Sequence, residues 1–178
     1  SFVRSRAAEH GFAPDAIAAA GSSAGGHLVA LLGTIGVDDP LGATDEMTCA
    51  DTPPNAVIPY CPVTDMLSRR DPSGKLKPNV VNFMGCEEAG DDGRYAAASP
   101  VMRVTGQEPP FLFIHGDADD TVPIEHSSQM HQKLLDAGVR SELVALPGVK
   151  HDFGYGAHTD AQKASLDHIR RFLDEVLG

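Results

Sequence analysis

A serine set between glycines, a loop crowded with aspartates and a later histidine are the residues of this sequence that could do chemistry. Ser23 lies in Gly21-Ser22-Ser23-Ala24-Gly25-Gly26, the aspartates in His115-Gly116-Asp117-Ala118-Asp119-Asp120-Thr121-Val122-Pro123, and His151 in Leu146-Pro147-Gly148-Val149-Lys150-His151-Asp152-Phe153-Gly154. A serine hydroxyl is a poor nucleophile until an imidazole takes its proton, and a buried carboxylate fixes the tautomer of that imidazole and stabilises the imidazolium. The chemistry of such a set is attack on an acyl carbon, with the imidazole passing the proton on to the leaving group. The backbone N–H of Ala24, directly after the serine, is the natural first donor of an oxyanion hole. A glycine-flanked serine alone is more often a plain loop, so the case rests on what positions its partners.

The apolar run Ile17 to Ala20 leads into Ser23 and the helix-like Gly26-His27-Leu28-Val29-Ala30-Leu31-Leu32-Gly33 leads out, which is the strand, turn, helix order of a nucleophile elbow. Small residues two positions either side of the serine let strand and helix approach closely. Phe2 to His10 has helical spacing and stops at Gly11, a glycine C-cap. Residues 36–55 lack a period and predict a long surface loop. Ala56 to Cys61 predicts a short buried strand with an irregular end at Pro59. After Pro62-Val63-Thr64-Asp65, the polar stretch through Arg94, which contains Phe83-Met84, is either a flap over a site or a surface excursion, of which the excursion is favoured.

Phe111 to Gly116 is a continuous apolar run of the kind a parallel strand buried on both faces requires. Ile124 to Ala137 predicts a helix ended by Gly138, Ser141 to Leu146 a further strand, and Ala161 to Leu177 an amphipathic helix with Leu166, Ile169, Phe172, Leu173, Val176 and Leu177 inward. Alternating strands and helices predict a parallel sheet, whose reactive groups collect in the loops beyond the carboxyl ends of the strands. The serine, the aspartates and His151 occupy three such loops.

With those motifs in place, the sequence resembles the α/β-hydrolase superfamily, in particular its microbial esterase and lipase branch of carboxylesterases and feruloyl and acetylxylan esterases. The resemblance runs over essentially the whole chain. The family pattern Gly-x-Ser-Ala-Gly-Gly-His implies Ser23 as nucleophile, His-Gly-x-x-Asp-x-x-Val-Pro implies Asp119 as the acid, and the loop after the last strand implies His151 as the base. The expected fold is the C-terminal portion of an α/β-hydrolase, one domain over 1–178 with about four parallel strands flanked by helices.

The family's upstream His-Gly-Gly oxyanion motif does not occur before Gly21, and only the last four of its eight strands can be read. The elbow strand, central in the family, is then expected at an edge. That implies one piece of a longer polypeptide, or a form completed by association as a homo-oligomer.

Neighbouring groups have plainer expected roles. Asp117 and Asp120 read as loop-capping groups with a shift of the acid to either left open, and Asp65, where some other hydrolases carry their acid, reads as a helix N-cap. His27 is expected to be packed or locally hydrogen-bonded, His115 to support the acid loop, and His126, His131 and His168 to face solvent. His158 has no assigned role. Cys49, Cys61 and Cys86 show no CxxC spacing, which predicts inert thiols and leaves one bridge, Cys49 to Cys86, open.

The chain of 178 residues is 42% hydrophobic and 22% charged, which suits one domain with a proper core. Its net charge of −11, from 14 Lys and Arg against 25 Asp and Glu, shows no basic patch and argues against nucleic acid or an anionic membrane as partner. No stretch reaches the length of a membrane span, and since Ser1 does not read as a natural start, nothing is concluded about a signal peptide.

The leading expectation is a serine carboxylic ester hydrolase acting on small acyl or aryl esters, with neither cofactor nor metal. The alternatives are a peptidase of the prolyl-oligopeptidase type and a non-catalytic remnant acting as an assembly module. The Ser-Ala-Gly-Gly-His elbow favours the esterase, since those peptidases more usually carry Ser-Tyr-Gly-Gly.

Overall fold

The computed structural model describes residues 2–36, 39, 41, 53–88, 93–151 and 153–178. Four parallel strands, β1 (Ala18–Ser22), β2 (Ala56–Tyr60), β3 (Phe111–Gly116) and β4 (Ser141–Leu146), lie side by side in sequence order. The two central strands are buried at every position, as their unbroken apolar sequences require. β1 is a run of small residues at the sheet edge, and Ala18 and Ala20 are exposed.

The alternation of side chains across β3 divides the core in two. Phe111 and Phe113 face α3 (Ala24–Gly33) and α6 (Glu125–Asp136), meeting Ala30, Met130 and Leu134. Leu112 and Ile114 face α7 (Asp160–Leu177), meeting Phe172 with Ile169, Leu173, Val176 and Leu177 packed around it. α3 can lie this close to the sheet because Gly33 has no side chain; a Cβ there would stand 2.6 Å from the Phe111 ring. α7 starts on a capping box, in which Thr159 accepts from the Gln162 N–H and Gln162 accepts from the Thr159 N–H.

Most predicted elements are present, with shifted ends. The first helix is two short turns, α1 (Phe2–Ser5) and α2 (Ala7–His10), and ends on the expected Gly11 at φ 72°. β1 runs on through Ser22, and α3 begins directly after Ser23, so strand and helix meet at a single residue. β2 keeps its register with β1 through Pro59 and ends before Cys61, which takes φ 36°. Most of the loop expected over 36–55, Cys49 included, lies outside the described residues, while Cys61 and Cys86 are in no disulfide. No helix among the described residues is long and apolar enough to cross a membrane.

The stretch after β2 is more than a surface excursion. It carries α4 (Pro78–Met84) and α5 (Arg94–Ala97), and Met66, Leu76, Val80 and Tyr95 form a small core of their own beside the sheet. This correction to the favoured reading puts α4 where it walls the space in front of Ser23.

Candidate active site

The sequence around Ser23 forces a sharp corner. Ser23 has φ 55° and ψ −115°, and its N–H is held by the Tyr60 carbonyl at 2.9 Å. Among the described residues only Ser23 and Cys61 combine a side chain with a positive φ, and the two occupy adjacent strand ends. Backbone strain of this kind persists where the surroundings over-determine it, as they do here. Of the flanking glycines, a Cβ at Gly21 would lie 2.2 Å from the Gly25 carbonyl oxygen and one at Gly26 would lie 2.6 Å from the Tyr60 oxygen. Gly25 has open space instead. The close approach therefore depends on Gly21 and Gly26, and the expectation of a small residue two positions after the serine is corrected.

Three strand ends deliver the predicted residues to one place. The Ser23 hydroxyl donates to His151 Nε2 at 2.9 Å, and His151 Nδ1–H donates to Asp119 Oδ2 at 2.6 Å. Asp119 Oδ1 accepts from the Thr121 and Val122 N–H groups at 2.9 and 2.8 Å. Burial by itself raises the Asp119 pKa, but the bond from His151 and the two amides outweigh it and hold the carboxyl below its ordinary value. The carboxylate is therefore ionised and anchored on both oxygens. Ala24 follows at the first position of α3, where a helix offers its N–H no acceptor.

The loops carrying acid and base are also fastened to each other. Asp117 Oδ1 accepts the Gly148 N–H at 2.6 Å, and the Asp117 and Ala118 N–H groups donate to the Leu146 and Val149 carbonyls. Gly116 is needed at this seam, since a Cβ there would stand 2.0 Å from the Val149 oxygen. Asp117 is thus a tether between loops, Asp120 is an exposed loop residue, and Asp119 is the aspartate of this loop that bonds to His151.

A cavity of about 320 Å3 opens beside Ser23, walled by His27, Met66, Arg69, Val80, Phe83 and Val122. Larger hollows of about 710 and 700 Å3 touch none of Ser23, Asp119 and His151. Two polar atoms in this wall are buried without a hydrogen-bond partner, His27 Nε2 and Arg69 Nε. Burial lowers the pKa of His27, whose Nδ1–H is given to the Val63 carbonyl at 2.9 Å, and leaves it neutral.

A match to the BD-FAE family runs over residues 1–134, a span that holds Ser23 and Asp119 but not His151. The chain belongs to the BD-FAE family. This BD-FAE chain is 32% identical over 180 residues to the esterase LipQ of Mycobacterium tuberculosis, an alignment taking in 100% of the chain and 42% of LipQ. It superposes on Thermogutta terrifontis esterase 2 phosphoramylated by tabun with a TM-score of 0.77 at 33% identity, covering 98% of this chain and 60% of that one. The propionate-bound form of the same esterase gives a TM-score of 0.75 at 30% identity. The chain thus spans less than half the length of LipQ, and its fold is that of the α/β-hydrolases, as the elbow and acid-loop motifs implied.

The other histidines of this BD-FAE chain divide, His115 meeting its expected role and three others departing from theirs. His115 does support the acid loop: its Nε2–H donates to the Val122 carbonyl, its Nδ1 accepts from Ser127, and the ring is fully buried and neutral. His126 is buried rather than solvent-facing. Its Nδ1 accepts the Thr64 N–H at 3.2 Å, and burial, reinforced by the charge of Arg69, pushes its pKa down to about 4. His131 is half-buried against Ser141, and His168 is half-buried on α7 near Arg171. His126 lies between Glu125 and Ser127, while His131 and His168 each have one polar and one apolar neighbour, so the adjacent residues alone did not mark them as inward.

Asp65 accepts from the Leu67 N–H in a turn rather than capping a helix, and His158 is exposed. Arg69, absent from the sequence expectations, is 7% exposed. No motif marks it.

Cys61, Asp119 and His151 form one group, among the described residues, with metal-ligand types within 4.8 Å of one another. Two ligands of one zinc ion stand roughly 3.3 Å apart. The 2.6 Å contact between His151 and Asp119 is instead that of a shared proton.

Proposed function

We propose that this chain carries the Ser-His-Asp machinery of a carboxylic ester hydrolase that turns over small acyl or aryl esters through an acyl-enzyme. Ser23 Oγ attacks the ester carbonyl as its proton passes to His151 Nε2, and the developing oxyanion is met by the Ala24 N–H at the positive end of α3. The imidazolium, held in orientation by ionised Asp119, then gives its proton to the leaving alcohol. Water activated by the same imidazole releases the acid and restores Ser23.

The observation that carries this reading is the unbroken line from Ser23 Oγ to His151 at 2.9 Å and on to Asp119 at 2.6 Å, with the serine at φ 55°. The similarity to an esterase described as phosphoramylated by tabun and as propionate-bound supports a nucleophilic mechanism and a short acyl group. The test is turnover of 4-nitrophenyl acetate by the chain beside Ser23→Ala, with labelling by a fluorophosphonate probe. Serine-dependent turnover and labelling are expected. A folded chain that neither turns over nor labels overturns the reading.

A further inference from the structure

The cavity beside Ser23 has one feature that simple ester hydrolysis leaves unused. Its wall is largely apolar, from Val63, Met66, Val80, Phe83 and Val122, yet it contains the guanidinium of Arg69. Arg69 is only 7% exposed, forms no salt bridge among the described residues, and makes one side-chain hydrogen bond, from Nη1 to the neutral Thr121 carbonyl at 2.7 Å. Its Nε–H is enclosed with no acceptor at all. Asp119, whose charge acts on Arg69, already has both oxygens occupied by His151, Thr121 and Val122.

A buried cation with a rigid fork of five donors and one neutral acceptor is far from satisfied, since buried charges are ordinarily paired and hydrogen-bonded. The fork matches one group above others, a carboxylate, which it can take bidentately.

We propose that Arg69 is a specificity residue that selects esters whose acyl chain ends in a carboxylate, that is, half-esters of short dicarboxylic acids. This rests on the hydrolase reading above. The acyl carbonyl lies at Ser23, the methylene chain runs along Met66, Val80 and Phe83, and the far carboxylate meets the guanidinium. An anion brought to the Nη end of Arg69 pairs a charge that otherwise has only the Thr121 carbonyl as hydrogen-bond acceptor, whereas an alkyl acyl chain of equal length does not.

The test compares mono-4-nitrophenyl adipate with 4-nitrophenyl hexanoate, matched in chain length, at a pH where the free carboxylate is ionised. Turnover by Ser23→Ala is subtracted from each. The expected result is a kcat/KM ratio of about tenfold or more in favour of the adipate, carried mainly by KM, as for a charge-assisted hydrogen bond. In Arg69→Met the ratio falls to one or below, and in Arg69→Lys, which keeps charge without the fork, it is intermediate.

Thermal melting of both variants checks folding, and a purely structural role for Arg69 would lower both esters equally and leave the ratio unchanged. That outcome, or a wild-type chain with no preference, overturns the inference while the hydrolase reading stands. Failure of both esters with the wild-type chain overturns both.

Discussion

The two sides of the sheet's carboxyl edge are built differently, although each supplies part of one site. Asp119 and His151 leave the ends of β3 and β4, among strands and helices whose side chains are buried and whose loops are fastened to one another. Ser23 leaves β1, an edge strand of small, partly exposed residues, and begins a helix that shows Leu28 to solvent at 57%. On the first side position is secured by packing; on the second it is secured by backbone, through Gly21, Gly26 and the Tyr60 carbonyl. A site can therefore draw precision from steric exclusion at glycine as well as from a core.

The sharpest way to break this comparison is to show that the site depends on only one side. Ser23→Ala is expected to lower kcat by about six orders of magnitude, and Asp119→Asn, which leaves the shape but loses the tautomer control, by about four. Steady-state kinetics on an activated ester measure both. An Asp119→Asn chain within tenfold of wild type would make the acid a bystander.

Next in size is stability. Phe113→Ala, at a fully buried position on β3, should cost about 3–5 kcal/mol in urea unfolding. Leu28→Ala on the exposed face of α3 should stay within about 0.5 kcal/mol. Equal costs would erase the contrast between the two sides.

Acid should act chiefly on the packed side. His126 keeps its neutral form in the fold, with a pKa lowered from 6.5 to about 4, so the unfolded chain takes up a proton that the folded one refuses. Stability is unaffected above pH 6.5, falls as pH drops from 6.5 towards 4 by about 3 kcal/mol, and levels off below that. His27, His115 and His131 are lowered by burial and bend the curve the same way. Asp119 is opposite in kind, being depressed as an acid: its contribution is present above the ordinary carboxylate value and lost only as pH falls through its lower folded value. Melting temperature followed from pH 8 to 4 should show His126→Gln flattening the largest part of the slope.

The smallest effect tests the backbone side. Gly21→Ala drives a Cβ into the Gly25 carbonyl and should cost about 2–3 kcal/mol together with most of the activity. Gly25→Ala meets open space within a helix and should be neutral or stabilising by up to about 1 kcal/mol. If the two variants melt together, the close approach at the elbow is not what fixes Ser23.

The same contrast explains what could be read from the sequence. β3, β4 and α7 were legible because a buried strand shows an unbroken apolar run and a docked helix shows a stripe, and their ends fell within a residue of expectation. The elbow was legible through its glycines, although which of them matter was not, since Gly25 and Gly26 look alike until Tyr60 is brought beside one of them. The wall of the cavity was not legible. α4 is seven residues long, begins on Pro78 and holds Phe83 at 63% exposure, so its pattern resembles a loop with scattered apolar residues. Arg69 and His126 find their partners, Thr121 and Thr64, in distant parts of the chain, a condition no local window contains.

The Asp117 to Gly148 bond, with the two backbone bonds beside it, makes the acid and base loops one mechanical body. Relative motion within the site then has a single joint, the gap between that body and the elbow. As the protein is warmed towards melting, the Ser23 to His151 contact should lengthen while the His151 to Asp119 contact keeps its length. On the proposed mechanism, heat would therefore silence Ser23 before it disturbs the His151 and Asp119 pair, and inactivation would precede unfolding and reverse on cooling.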